Sequence, residues 1–222
     1  AAGIALVVRR DHRAALAVYE RIGAQAELLE ALHDFGELHL LLGDSASAER
    51  DFQRSHGVAR SIGLDRGITM NLISLGDVEF RRKRPEAAIA LYEQARQRAT
   101  ASKVRHALAL SQLRLARVHR SQQQFALASG ETDQSLVIAR EIGAPGLEAE
   151  ALYSRAELAR LQGHYREALE HYDAVERAES WRGAFADLVT DVGGVTIRAT
   201  FSAGVALHSA HAGSGESLVK AA

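Results

Sequence analysis

Ten histidines and 28 aspartates and glutamates are the raw material for a metal centre or an acid–base pair. Their spacing builds neither. No His-Glu-x-x-His or His-x-x-x-His set occurs that would put two imidazoles on one helical face. His33 and His39 are six apart, which splits them around a helix. His164 and His171 are seven apart and could share a face, but the turn residue Gly163 and the intervening Tyr165 assign them to a polar surface. With no cysteine, thiolate nucleophiles, disulfides and cysteine-ligated metals are excluded. Neither a Gly-x-Ser-x-Gly elbow nor a Gly-x-x-x-x-Gly-Lys-Ser/Thr phosphate loop is present. The sharpest charge run, Arg81-Arg82-Lys83-Arg84, has no interleaved aromatics and reads as an exposed inter-helix turn, not a nucleic-acid patch. No catalytic residue, metal ligand or cofactor site is assigned.

Composition narrows the partners. Lys and Arg total 27 against 28 acidic residues, a net charge of −1 that offers no global field to nucleic acid or an anionic membrane. Hydrophobic residues at 47% and charged residues at 25% suit a globular chain of one domain with an appendage. Aromatics at 5% and only two prolines speak against an all-β fold. No apolar run approaches the roughly 18–20 residues that span a bilayer. A cytoplasmic location is expected. The only methionine is Met70, and the apolar opening through Val8 runs into arginines, so the numbering reads as starting inside a longer protein.

The elements that must carry any function repeat. Ile-Gly occurs at Ile22-Gly23, Ile62-Gly63 and Ile142-Gly143, a 40-residue step with one degenerate copy at Ser102-Lys103. Small residues fall at Gly36, Gly76, Ala116 and Ala156. Alanines fall at Ala48, Ala88, Ala128 and Ala168, each followed four residues later by Phe52, Tyr92, Thr132 or Tyr172. Leu28, Leu29, Leu32, Phe35, Leu38 and Leu42 recur at three- and four-residue steps, one buried helical face. Each unit is thus two helices, A and B, in which the small residue of A admits the aromatic of B. Gly43-Asp44-Ser45 breaks the first pair and supplies an N-cap, and Pro85 sits in a first turn.

This pattern resembles the tetratricopeptide repeat in its 40-residue bacterial form, on Leu32, Phe35, Gly36 and His39, Leu72, Leu75, Gly76 and Glu79 for helix A, and Ala48, Phe52, Ser55 and Ala88, Tyr92, Ala95 for helix B. Gln112, Arg155 and Thr132 depart from it. The resemblance implies an all-α, right-handed solenoid of antiparallel helix pairs over residues 1–181, a lone helix B followed by four pairs. It further implies that a protein or peptide segment binds a concave face lined by the A helices. That face would carry Glu30, His33, Glu37, Ile73, Asp77, Arg81, Leu113, Arg117, Arg120, Tyr153, Glu157 and Arg160. It is acidic at one end and basic near the third unit, with Ile73 and Tyr153 as apolar anchors. The Lys/Asn/Asn/Lys/Arg set of chaperone-binding members is absent, which disfavours a terminal-carboxylate ligand. The exposed apolar face of the lone first helix (Ile4, Leu6, Val7, Val8) points to a homodimer.

After Trp181 the register fails. Helix B of the fourth unit should end near Ser180, and Val195–Ala206 is β-branched and glycine-rich, a strand followed by a loop and a helix from Glu216. Such a strand needs ladder partners that an all-helical array lacks, so a chain discontinuity is expected between Ala178 and Val192, or pairing with a neighbouring molecule. Residues 198–222 resemble the late strand and helix of a GGDEF (diguanylate cyclase) domain, making 182–222 a partial GGDEF-like appendage. The metal- and GTP-holding signature is absent, since Gly193-Gly194 continues as Val195-Thr196. The expected function is a non-catalytic, sensory interaction module of a bacterial signalling protein with a GGDEF output domain. The alternatives are the regulatory or dimerising part of a cyclic di-GMP-producing enzyme, or the arm of a transcriptional regulator.

Overall fold

The computed structural model describes residues 14–186, 189–192 and 195–198. In chain order the elements are α1 (helical residues 14–22), α2 (Gln25–Leu41), α3 (Ser45–Ser61), α4 (Asp65–Arg81), α5 (Pro85–Ala101), α6 (Arg105–Ser121), α7 (Phe125–Glu141), α8 (Pro145–Leu161) and α9 (Tyr165–Ala186), then β1 (Val189–Val192) and β2 (Val195–Arg198). They fall into two compact units, Ala1–Ile142 with α1–α7 and Gly143–Ala222 with the rest.

The side-chain period of 40 rests on a backbone period half as long. Every helix from α2 to α8 has 17 residues. Gly23, Gly43, Gly63, Lys83, Lys103, Gln123, Gly143 and Gly163 all lie at positive φ, one at each helix end. After α2 the Asp44 N–H donates to the His39 carbonyl at 2.9 Å and the Gly43 N–H to Leu40 at 3.1 Å. This doubled closure satisfies orphaned carbonyls of the last turn and reverses the chain. The same outer bond recurs from Leu64 to Ala59, Arg84 to Glu79, Val104 to Ala99, Gln124 to His119 and His164 to Ala159. The degenerate Ser102-Lys103 copy is therefore a turn of the same geometry. At the starting ends, Asp44 accepts from the Ser47 N–H at 3.1 Å, and Pro85 and Pro145 occupy first-turn positions.

Cores are shared by consecutive helices. Leu16 of α1 packs with Leu28 and Leu32 of α2, and Leu29 of α2 with Ala59 of α3 and Ile68 of α4. Leu40, Ala48, Phe52 and Val78 form the next cluster. No single pair closes its own core, which is how a repeat array gains stability from its neighbours.

The C-terminal end differs from the expectation. Helix α9 continues to Ala186 instead of stopping near Ser180, so the backbone is helical where a discontinuity was expected to begin. Val195–Arg198 finds its ladder partner inside the chain: β1 and β2 pair antiparallel, Val189 opposite Arg198 and Val192 opposite Val195. The remainder of the expected strand, the helix from Glu216 and the apolar face at Ile4–Val8 lie outside the described residues. A strand–helix appendage is thus no part of the described fold.

Candidate binding face

The A helices of the first unit, α2, α4 and α6, lie side by side, α4 touching both of the others. One register position crosses all three as Glu37, Asp77 and Arg117, each half-buried. Ser74 of α4 donates to Glu37 at 3.0 Å, and Arg114 Nε of α6 reaches Asp77 at 3.3 Å. Arg117 Nη2 also donates to Asp77 and, at 3.1 Å, to the Tyr92 hydroxyl, which in turn donates to Asp77 at 2.7 Å. The Arg117 guanidinium stands 4.6 Å from the centroid of the Phe80 ring. Burial pushes the Asp77 carboxyl up, but Arg114, Arg117 and the Tyr92 hydroxyl outweigh it and hold the group below the usual carboxylate range. Burial and the charge of Asp77 push the Tyr92 hydroxyl far above its ordinary value, so it stays a donor. This centre is a charge-assisted lock between α4, α5 and α6.

The remaining expected residues separate by exposure. Glu30 is exposed, and Glu27 and Asp34 beside it on α2 are exposed as well; none of the three makes an ion pair among the described residues. His33 is half-buried, its Nδ1 3.2 Å from Asn71 Oδ1 and its ring 5.5 Å from Phe52. Arg81 is exposed yet donates to the Leu40 carbonyl at 2.8 Å, and Arg120 is half-buried. Ile73 and Leu113 are corrections. They are 1% and 3% exposed, so neither offers an apolar anchor to a ligand. Helix α4 is flanked on both sides, and an aliphatic chain at this register gains more by burial than by standing in water.

The second unit repeats the lock on its own. Tyr172 of α9 donates to Glu157 of α8, and Arg160 grips the same carboxylate through Nε at 3.1 Å and Nη2 at 2.8 Å. Tyr153 lies edge-on to Tyr172, ring centroids 6.0 Å apart. These bonds raise the Arg160 guanidinium above its ordinary value.

The sequence reading missed a doubled period. Asp77–Tyr92 and Glu157–Tyr172 are the same pair displaced by 80 residues. So are His39–Asp51 and His119–Glu131, both closed at 2.8 Å, and so are the bonds from Ser55 to the Leu29 carbonyl and from Ser135 to that of Ala109. Comparing each residue with the one two units on would have shown it. In the run at 81–84, Arg81, Lys83 and Arg84 are exposed, as expected of an inter-helix turn, while half-buried Arg82 bridges Glu49 and Glu79 at 2.8 Å each. His164 and His171 do share a face, standing 3.7 and 3.6 Å from Glu167. Among the described residues no cluster of His, Asp or Glu is disposed to hold a metal ion. No described helix is long and apolar enough to cross a membrane.

Residues 66–130 match the tetratricopeptide repeat family. No curated protein matches the chain. Among solved structures, BtubC from P. vanneervenii is similar with a TM-score of 0.61 at 13% identity, covering 86% of this chain and 82% of its own. The apo form of RapI gives 0.64 at 12% identity, over 83% and 70%. A signal transduction ATPase with a tetratricopeptide repeat sensor, from Pyrococcus horikoshii, gives 0.56 at 16%, over 79% of this chain but 30% of that one. Identities this low speak to fold alone. The described helices therefore share the fold of these structures, and residues 66–130 carry the sequence pattern of the tetratricopeptide repeat.

Proposed function

We propose that the first unit is a non-catalytic interaction module that holds a protein segment along α2, α4 and α6, with lysines or arginines of that segment over α2. The observation that carries this reading is a contrast in charge. Asp77 is engaged by two arginines and a tyrosine, whereas Glu27, Glu30 and Asp34 stand exposed within about two turns of α2 without a cation among the described residues. Like charges so spaced repel along a helix and are relieved by an external cation. His33, Glu37, Arg81, Arg117 and Arg120 would border the segment, and Tyr153 with Glu157 and Arg160 would serve the second unit. A sensory role is in keeping with the sensor named in the Pyrococcus horikoshii structure. Attachment to a GGDEF output domain rests only on the resemblance of residues 198–222.

The test uses the full chain with a photo-cross-linking residue at position 26, an exposed alanine one turn before Glu30 on α2, and a control at position 54 on α3. The segment captured at 26 alone is identified, synthesised and titrated against wild type and Glu30→Gln/Asp34→Asn. About tenfold weaker binding by the variant, with a steep salt dependence, is expected. Equal affinities overturn the reading.

A further inference from the structure

A chain of hydrogen bonds behind α2 fixes which nitrogen of His33 carries its proton. Asn71 of α4 is fully buried, and its Nδ2 donates to the Gly67 carbonyl and to Ser55 Oγ, both at 2.9 Å. Ser55 in turn donates to the Leu29 carbonyl at 3.0 Å, one turn before His33 on α2. A carbonyl oxygen only accepts, so the amide atom facing Gly67 is the nitrogen, and the Asn71 oxygen faces His33. That oxygen stands 3.2 Å from His33 Nδ1, and two acceptors do not bond, so Nδ1 carries the hydrogen. In the neutral ring the lone pair is then on Nε2.

Nε2 is open. The buried nitrogens and oxygens without a bond, among the described residues, are His56 Nδ1, Gln112 Oε1 and Arg117 Nε. His33 Nε2 makes no hydrogen bond there either, yet it is not among the sealed atoms. Glu30 and Glu37, three residues before and four after, share its side of α2.

The repeat asks for neither residue. One unit on, the same two positions hold Ile73 and Ser111, both buried. An asparagine without accessible surface is costly unless its polar atoms are all used, and the last of them is used by His33. The pair leaves the fold no better packed than Ile73 and Ser111 do, but it aims an acceptor outward between two carboxylates.

That acceptor names the cation. A lysine ammonium or an arginine guanidinium drawn to Glu30 has N–H groups to spare for Nε2. A quaternary ammonium brings the same charge without a donor, and a carbonyl or carboxylate finds only acceptors. We propose that His33 Nε2 is the specificity-determining acceptor of the α2 face, which selects unmethylated lysine or arginine side chains over quaternary ammonium groups of equal charge. Asn71 is the positioning residue that holds the required tautomer. This rests on the reading of α2 as a cation-binding face and names the cation it takes.

The test is long-range proton–nitrogen magnetic resonance on the full chain with labelled histidine, at about pH 8, above the ordinary histidine range. The probes are acetyl-trilysine amide and its counterpart trimethylated at every Nζ. Wild type should carry the His33 proton on Nδ1, and the unmethylated probe should shift Nε2 saturably and bind about fivefold tighter than the methylated one. Asn71→Ser, which installs the residue of the next unit, should let the second tautomer appear. His33→Ile/Asn71→Ser installs the whole pair of that unit and should bind both probes alike, read on the Glu30 backbone amide. A proton on Nε2 in wild type overturns the proposal, as do a single tautomer in Asn71→Ser and a preference that survives in the double variant. Equal binding of both probes by wild type overturns the selection while α2 remains a cation-binding face; binding of neither overturns both.

Discussion

A Cβ atom on Gly36 would stand 2.4 Å from Cε1 of Phe52, closer than packed carbons come, so the two residues fix each other's size. Gly76 and Tyr92 repeat the relation at the same distance. Where the third unit has Ala116, its partner has shrunk to Thr132, and both are fully buried. The fourth unit combines Ala156 with Tyr172, and there the ring is only half-buried. The contact between helices A and B is thus one volume divided two ways.

Gly36→Ala alone should destabilise the chain by about 1–3 kcal/mol, the usual cost of overpacking. Phe52→Thr alone opens a cavity and should cost about 3–5 kcal/mol. Together they install the Ala–Thr pair that the third unit already uses. The double variant should therefore lose less than the sum, by roughly 0.5–3 kcal/mol. Urea denaturation of the four proteins gives the coupling, and additivity would show that the two residues do not share one volume.

The turns give a second prediction. Lys83, Lys103 and Gln123 hold φ near 60°, where a side chain crowds its own backbone. Each replaced by glycine should raise stability, since the other turns use glycine at this point. The gain is about 1 kcal/mol at each site, less the entropy that glycine adds to the unfolded chain. Gly57→Ala, mid-helix with nothing near its Cβ direction, is the opposite control and should also stabilise, by about 1 kcal/mol. Thermal unfolding midpoints check both; a drop for Lys83→Gly would mean that its turn is held by more than backbone geometry.

What the sequence made legible follows from what repeats in it. Helix pairing, the glycine–aromatic contact and the turn positions recur at fixed spacing, and each has a local physical cause, so counting finds them. Exposure on the A helices does not recur. His33, Ile73, Leu113 and Tyr153 share one register, yet two are buried and two are half-buried. Their fate depends on residues about 40 positions away, as when Asp77 draws in Arg114 and Arg117. Periodicity within one helix cannot report a bond to the next.

His56 predicts a pH dependence. It is half-buried on α3 with Nδ1 unbonded. Burial lowers its pKa, the Ile68 backbone bond opposes this, and the charges of Arg60 and Arg98 add to the lowering. The unfolded chain then takes up the proton first, so stability is full above the ordinary histidine range near 6.5 and declines as the pH falls through it. The equivalent positions one unit before and two units after hold Leu16 and Leu136, both buried. His56→Leu should fold, and its midpoint should fall less than that of wild type between about pH 7 and pH 5. Parallel profiles would show that His56 titrates as it does in the unfolded chain.

Asp77 gives the opposite pair of signs. Its carboxyl is held below the usual range, so its contribution is present above about pH 4 and is lost as the pH falls below that value and through its own lowered pKa. Asp77→Asn keeps an acceptor for the Tyr92 hydroxyl but leaves Arg114 and Arg117 facing each other without a carboxylate. Breaking a buried ion pair costs about 3–5 kcal/mol; with Arg117 still partly in water, about 1–3 kcal/mol is expected here. The loss should shrink towards zero in acid, where the wild-type carboxyl is itself protonated. Adding Arg117→Met to Asp77→Asn removes the surplus charge and keeps an unbranched chain over Phe80, so it should recover part of the loss. Denaturation at neutral and at acid pH separates these cases, and a variant as stable as wild type at neutral pH would show that the lock between α4, α5 and α6 contributes nothing to the fold.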